Sequence, residues 1–155
     1  ISSAGIWGNY GQAAYASAKA GLIALTRVTA LDLQRSNITC NAIAPFAATR
    51  VTESIKPQNE AQKIYKNSAL KIDAKYIGDL TSYLSSDYGK KYSGQIFGVR
   101  GKEVFLYNQS RPVYNFIRKG NNSHNDLREN FEKYFDKNLT PLETDLEAFS
   151  NDPII

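Results

Sequence analysis

Apolar residues recur along the chain with two periods, and the changes of period mark its elements. From Gln12 to about Arg35 the apolar positions Leu22, Leu25, Val28, Leu31 and Leu33 share one side at helical spacing. The first half of that helix is smooth. Ala13, Ala14, Ala16, Ala18, Ala20, Gly21 and Ala24 allow a close approach by another backbone, which suits packing on a sheet and on a helix of a second subunit. Ile1-Ser2-Ser3 reads as the end of a buried strand, followed by a glycine-rich loop from Ala4 to Gly11 that contains Trp7. After a turn at Ser36-Asn37, Ile38 to Ala44 is a short β-rich run ended by Pro45. Strand, helix, strand at this spacing is a βαβ unit, so its strands are predicted to be parallel. Ligands on such sheets lie beyond the carboxyl ends of the strands. Both Ser2-Ser3 and the run from Pro45 to Thr49 fall on that edge.

The next stretch, Thr52 to about Leu70, is polar with Pro57 inside it, which predicts a mobile segment of one or two short helices and a candidate lid. Asp73 to Ser86 reads as a helix with Ile77, Leu80, Tyr83 and Leu84 on its apolar side. Gly94 to Val99 is a strand, Gly101 follows it, and Glu103 to Tyr107 extends that strand or starts another. Beyond this the character changes. Arg111 to Arg118 mixes basic and aromatic residues, and Gly120 to Asn125 is a polar turn. Ser123 is a candidate cap for a helix from His124 to about Phe135, with Asp126 at the capping-box position. Leu139 to Ile155 is a polar tail with two prolines.

Composition narrows the function classes. The 155 residues are 42% hydrophobic and 22% charged, enough for one domain with a real core. The net charge of +4 is spread over scattered lysines. That pattern reads as a solvated face rather than a nucleic-acid patch, and it leaves room for a basic rim that attracts an anionic substrate such as a CoA thioester. Cys40 is the only cysteine, so no intrachain disulfide forms, and its β-rich setting predicts an inert thiol. With His124 the only histidine, and far from Cys40, no zinc site is expected. No apolar stretch approaches membrane-spanning length. No signal peptide is visible, and the closing Pro153-Ile154-Ile155 is not a peroxisomal tripeptide. The expected location is cytoplasmic, or peroxisomal in a eukaryote. The chain has no methionine and begins inside a strand-like run, so it is expected to be a piece whose first half lies upstream.

The candidate chemistry is a triplet. Tyr15 and Lys19 are one helical turn apart on one face, and Ser2 precedes Tyr15 by thirteen residues at the preceding strand end. A phenol is a general acid whose phenolate is favoured by a nearby ammonium. A serine hydroxyl can hydrogen-bond the same carbonyl oxygen and hold it. Any hydride must come from a nicotinamide ring, because no side chain donates one. With ten tyrosines a single Tyr-x-x-x-Lys pair is expected by chance. The weight therefore comes from its place, opening a small-residue helix between two parallel strands.

Ile1-Ser2-Ser3-Ala4-Gly5, and then Gly8-Asn9-Tyr10-Gly11-Gln12-Ala13-Ala14-Tyr15-Ala16-Ser17-Ala18-Lys19-Ala20-Gly21, closely resembles the short-chain dehydrogenase/reductases. Ile38-Thr39-Cys40-Asn41-Ala42-Ile43-Ala44-Pro45 resembles their next strand. Leu84-Ser85-Ser86-Asp87 and Ser93-Gly94-Gln95-Ile96-Phe97-Gly98-Val99-Arg100-Gly101 resemble their last helix and strand. The resemblance implies an α/β fold, the C-terminal half of a Rossmann-type doubly wound parallel sheet over residues 1–105, with 106–155 as a C-terminal extension packing on the same domain. It implies an oxidoreductase that uses NAD or NADP to interconvert a secondary alcohol and a ketone. Ser2 orients the carbonyl, Tyr15 is the acid/base, and Lys19 binds the nicotinamide ribose and tunes Tyr15. Pro45, Ala47 and Thr49 join Tyr15 and Lys19 as cofactor contacts.

Two departures stand out. The family usually has Pro-Gly where this chain has Pro45-Phe46, and Thr49 arrives one residue early, so Thr49 is either a cofactor contact or a cap for the following turn. Phe46 either narrows the nicotinamide pocket or packs. The run from Ala44 to Glu53 and the extension ending near Phe149-Ser150-Asn151-Asp152-Pro153-Ile154 look like the dehydrogenase part of β-oxidation multifunctional enzymes and their stand-alone bacterial relatives. That branch implies a 3-hydroxyacyl-CoA or similar thioester and a homodimer or homotetramer. Arg50 either meets a substrate phosphate or pairs with Glu53. The alternatives are a 3-oxoacyl-thioester or general carbonyl reductase, and a non-catalytic cofactor-binding homologue. Gly-x-Gly-x-x-Gly does not occur, and the isolated piece is expected to be inactive. Asn121-Asn122-Ser123 matches a glycosylation acceptor, with no secretory signal to support its use.

Overall fold

The structure, a computed structural model, describes residues 1–117, 124–149 and 151–155. Expectations for Arg118, the turn from Gly120, Ser123 as a cap, Asn121-Asn122-Ser123, the Asp126 side chain and Ser150 lie outside the described residues. The described chain divides into two compact units, one made of 1–107 with 143–155 and the other of 108–142.

The first unit is built on a three-stranded sheet in the order β1 (Ala42–Phe46), β2 (Ile96–Arg100), β3 (Glu103–Tyr107). β1 and β2 are parallel, with Phe46 opposite Arg100 at their carboxyl ends. β3 is a new strand, antiparallel to β2. The hairpin between them turns at Gly101 and Lys102, and Gly101 takes φ +61°, which glycine adopts without a Cβ penalty. Its close approach to the carbonyl of Ile154 leaves no room for a side chain. Ala44, Ile96 and Val99 form the buried centre of the sheet.

The long helix appears as α1 (Ala13–Leu33), followed by a 3-10 turn and Asn37 in the left-handed region. Its Leu25, Val28 and Leu31 stay exposed. The following strand starts later than expected and runs through Pro45. The Asn41 side chain explains the late start. Its amide donates to the Tyr92 carbonyl at 2.9 Å and its carbonyl accepts the Gln95 N–H at 3.0 Å, so Asn41 replaces ladder bonds with side-chain ones. The ladder begins when the Ala42 N–H reaches the Gln95 carbonyl. By two-residue alternation Ala44 and Phe46 also face β2, so the missing N–H of Pro45 points away from it and Pro45 breaks no bond of that ladder.

Ile1-Ser2-Ser3 is also not a regular strand end. Ser2 is extended, and the chain then turns at once into a 3-10 helix at Ser3–Gly5. The Ile1 nitrogen donates to the Ile43 carbonyl at 2.8 Å, on the side of β1 opposite β2. The polar segment after β1 forms α2 (Arg50–Ser54) and α3 (Glu60–Ala69), separated at Pro57. Lys66 of α3 donates to the Glu53 and Ile55 carbonyls at 2.6 and 2.7 Å, closing the end of α2. α4 (Lys75–Ser85) follows.

In the second unit, α5 (His124–Tyr134) opens on an exposed His124. Phe116 packs within 5.4–6.1 Å of the rings of Phe131, Tyr134 and Phe135. The polar tail then contributes α6 (Asp145–Ala148), closed by a Thr144/Glu147 capping box. Residues 143–155 belong to the first unit.

Candidate active site

The carboxyl ends of β1 and β2 open into a cavity of about 900 Å³, lined by Ser2, Ser3, Tyr15, Pro45, Phe46, Ala47, Thr49, Tyr65, Arg100, Asp145 and Phe149 among others. Of the residues singled out from the sequence, Ser2, Tyr15, Pro45, Ala47 and Thr49 therefore meet at one place. Lys19 stands behind them, half-buried, with its ammonium 5.5 Å from the centroid of the Tyr15 ring. Tyr15 is 48% exposed, so its phenol is accessible.

Ser2 is presented by the 3-10 turn. Its Oγ accepts the Ala4 N–H at 3.3 Å, which leaves its own proton free to be donated. Gly5 seats this turn on α1. A Cβ at Gly5 would lie 2.7–2.9 Å from Ala20 N and from the carbonyl carbon and Cβ of Lys19. Only glycine lets the Ser2 turn rest directly on the helix that carries Tyr15 and Lys19. Gly5→Ala is expected to force the turn away and cost about 1–3 kcal/mol of stability. It is also expected to lower turnover in the full-length enzyme. A melting temperature and activity equal to wild type would show that the contact does not matter.

Thr49 caps. Its Oγ1 accepts the Thr52 N–H at 3.2 Å and shares a 3.1 Å hydrogen bond with Thr52 Oγ1, which donates onward to the Ala47 carbonyl at 3.3 Å. The hydroxyl is thus committed to shaping the loop after β1. Phe46 both lines the cavity and packs edge-on against Phe149 at 5.4 Å. Arg50 makes no ion pair with Glu53 among the described residues. Cys40 is half-buried and free.

Sequence reasoning expected the extension to pack on this domain but singled out none of its residues for the cavity. Asp145, Leu146, Phe149, Asn151, Asp152 and Pro153 all line the cavity. Phe149 is the hub of an aromatic cluster, with centroids 5.2–5.4 Å from Trp7, Phe46 and Phe105. The Arg100 guanidinium lies 4.1 Å above its ring. Arg100 also makes a two-point pair with Glu103 (2.9 and 3.2 Å) and donates to the Asn151 carbonyl at 3.0 Å. Glu103 in turn accepts from Asn151 Nδ2 and from the Ile154 N–H. One signal was available: Thr144-Asp145-Leu146-Glu147 has the spacing of a capping box and marks a helix start inside the polar tail.

Asp145 is one of two carboxylates that line the cavity, Asp152 being the other. Asp145 Oδ2 accepts the Ser3 hydroxyl at 2.7 Å. Burial pushes the Tyr65 phenol up, and the Asp145 charge adds to it. Burial likewise pushes Tyr107 up to about 12, with Arg100 opposing and Asp145 assisting. The Tyr107 hydroxyl is buried without a partner among the described residues. Gly98, opposite Phe105, leaves the space that the Tyr107 ring fills.

Comparison with known proteins bears on the family of the chain. A family profile described as Enoyl-(Acyl carrier protein) reductase matches residues 1–101. The peroxisomal multifunctional enzyme type 2 of Mus musculus is 32% identical over 137 residues, which is 87% of this chain and 17% of that protein. A hydroxyacyl-CoA dehydrogenase of Mycobacterium tuberculosis is 36% identical over 108 residues, 68% of this chain and 32% of that one. The crystal structure of a short chain dehydrogenase from Mycobacterium avium superposes with a TM-score of 0.72 at 26% identity, covering 92% of this chain and 46% of that one. The chain thus spans only part of the length of the relatives it matches. With the profile covering nearly two thirds of its residues and the sheet, turn and helix laid out as described, the chain belongs to the short-chain dehydrogenase/reductases.

Proposed function

We propose that this chain carries the proton-transfer half of an oxidoreductase that interconverts a secondary alcohol and a ketone, with a 3-hydroxyacyl-CoA or similar thioester as substrate. The observation that supports it best is the meeting of Ser2 and Tyr15 in one cavity with the Lys19 ammonium 5.5 Å from the Tyr15 ring. Ser2, its Oγ already accepting from Ala4, donates to the substrate oxygen and orients it. In the oxidative direction Tyr15 takes the hydroxyl proton as a general base, and in the reductive direction it returns it. Lys19 stabilises the phenolate between these steps.

The donor set fits the nicotinamide end of NAD or NADP. Lys19 and Tyr15 offer an ammonium and a phenol suited to ribose hydroxyls, while Pro45 and Ala47 form an apolar rim at the strand ends. When bound, that group accepts or supplies the hydride. Thr49 acts on it through the loop it caps. The glycine-rich turn that seats a pyrophosphate does not occur in this sequence.

The thioester reading is supported by the relatives' names, a peroxisomal multifunctional enzyme and a hydroxyacyl-CoA dehydrogenase among them, and by Phe46 and Phe149 as an apolar wall for an acyl chain. Arg50, unpaired with Glu53, is the residue we assign to a substrate phosphate. Residues 1–105 form the C-terminal part of the Rossmann domain and 106–155 its extension. The exposed apolar side of α1 is the face we assign to a homodimer or homotetramer. A peroxisomal or cytoplasmic location is consistent with the relatives, and among the described residues no helix is long and apolar enough to cross a membrane.

The test is a substrate panel on the full-length enzyme. Initial rates with NAD+ and NADP+ are expected to be highest for 3-hydroxyacyl-CoA. A higher kcat/KM in reduction of 3-oxoacyl-carrier-protein would favour the reductase, which the profile's description also suits. No turnover of any alcohol or ketone, with cofactor still bound, would favour a non-catalytic homologue.

A further inference from the structure

We infer that Asp145 is a positioning residue for Ser2: by holding Ser3, the C-terminal return segment fixes the turn that presents the carbonyl-binding hydroxyl. The inference rests on the oxidoreductase reading of Ser2 and Tyr15 and goes beyond it, because it makes the tail part of the active-site machinery. Three observations carry it. The Ser3 hydroxyl donates to Asp145 Oδ2 at 2.7 Å, the length of a hydrogen bond strengthened by a charged acceptor. Ser3 directly follows Ser2 and opens the 3-10 turn whose first N–H bonds, including that of Ala4 to Ser2 Oγ, set the direction of the Ser2 side chain. The turn's far end is tied to the same segment, since Trp7 packs edge-on against Phe149 at 5.4 Å.

The tail side of this contact is tied down as well. Asp145 is the first residue of α6, which the Thr144/Glu147 capping box locks in place. Phe149, at the other end of α6, lies under the Arg100 guanidinium. The Ser2 turn is thus held from two directions, by Gly5 on α1 and by Ser3 on Asp145. Losing either support lets Ser2 shift by a fraction of an ångström. Displacements on that scale lower the rate of a reaction that depends on alignment while leaving most substrate contacts intact.

The test is a double-mutant cycle in the full-length enzyme with Ser3→Ala, Asp145→Ala, the double variant and Asp145→Asn. Ser3→Ala and Asp145→Ala are each expected to lower kcat about 10-fold with KM changed less than about two-fold, because the loss falls on alignment rather than binding. The double variant is expected to be no slower than either single one, since both remove the same bond. Asp145→Asn keeps an acceptor oxygen and is expected to recover most of the rate. Additive losses, or a Ser3→Ala enzyme with wild-type kcat, overturn the inference. Because Ser3→Ala removes only a hydroxyl, it decides the matter even if Asp145→Ala does not fold. Tyr15→Phe run in parallel separates the two levels. If that variant turns over normally, the oxidoreductase reading of the site has failed. If it is inactive while the Ser3 and Asp145 variants are normal, only the positioning role has failed.

Discussion

Tyr15→Phe in the full-length enzyme lowers kcat by about 10²- to 10⁴-fold, the range supplied by a positioned general acid or base, and leaves cofactor and substrate affinity close to wild type. The substitution is narrow. Phenylalanine keeps the ring, so the contact between the Lys19 ammonium and the aromatic face survives. α1 begins at Ala13 and owes nothing to the phenol for its cap, because Gln12 makes no side-chain capping bond. Tyr15 is 48% exposed and its hydroxyl makes no hydrogen bond that folding relies on among the described residues, so the melting temperature is expected to hold. What goes is the hydroxyl to which we assign proton exchange with the substrate oxygen, on the ring that has the Lys19 ammonium 5.5 Å from its centroid. Ser2 keeps its donor and still orients the carbonyl, so KM moves little while kcat falls. Steady-state kinetics and a melting curve on the same preparation check this. A variant with near-normal kcat would take Tyr15 out of the mechanism.

The legible part of this protein is the part in which one residue does one job at fixed spacing. Tyr15 and Lys19 are four residues apart on a helix, and helical geometry alone puts them on one side. Apolar period and the Asn37 turn placed α1 and its end. The Gly101 turn was visible as punctuation, although only the hairpin register shows that it reverses the chain. Other features depended on partners distant in sequence. The start of β1 is set by Asn41 bonding to Tyr92 and Gln95, more than fifty residues away. The Thr49 cap on α2 depends on where the Thr52 N–H falls, which spacing alone left open beside a cofactor contact. The tail reads only as polar, because its composition carries no apolar period. Its order comes from partners distant in sequence, among them Ser3, Trp7 and Arg100, a charged residue at the end of an apolar strand that gives no local hint of a carboxyl-terminal partner.

Arg100→Met is expected to release that tail and to cost about 3–5 kcal/mol, the range for removing one member of a buried ion pair. The Arg100 and Glu103 side chains are only 6% and 12% exposed. Methionine keeps much of the volume against Phe149 but leaves the Glu103 carboxylate without its cation. Replacing both residues by apolar ones of similar size is expected to recover a large share of the loss, because no uncompensated charge then remains. The pair also sets an acid limit. Burial by itself would raise the Glu103 carboxyl. Hydrogen bonds from Arg100, Asn151 and the Ile154 N–H, with the Arg100 charge, outweigh it and hold the group below its ordinary value. A carboxyl lowered in the folded state stabilises fully above its unfolded value and loses that contribution as pH falls through its folded value. The stability gap between wild type and Glu103→Gln is therefore expected to be widest near neutral pH and to shrink below about pH 4, where the unfolded carboxyl begins to protonate. Denaturant unfolding of both proteins across that range measures it, and a gap that stays constant into acid would separate Glu103 from the pH response. Since Asp145, Phe149 and Asn151 share this segment, loosening the clamp is also expected to lower kcat in the same direction as Asp145→Ala. The tail would then act through one chain of contacts, from the β2–β3 hairpin to the serine that receives the substrate oxygen.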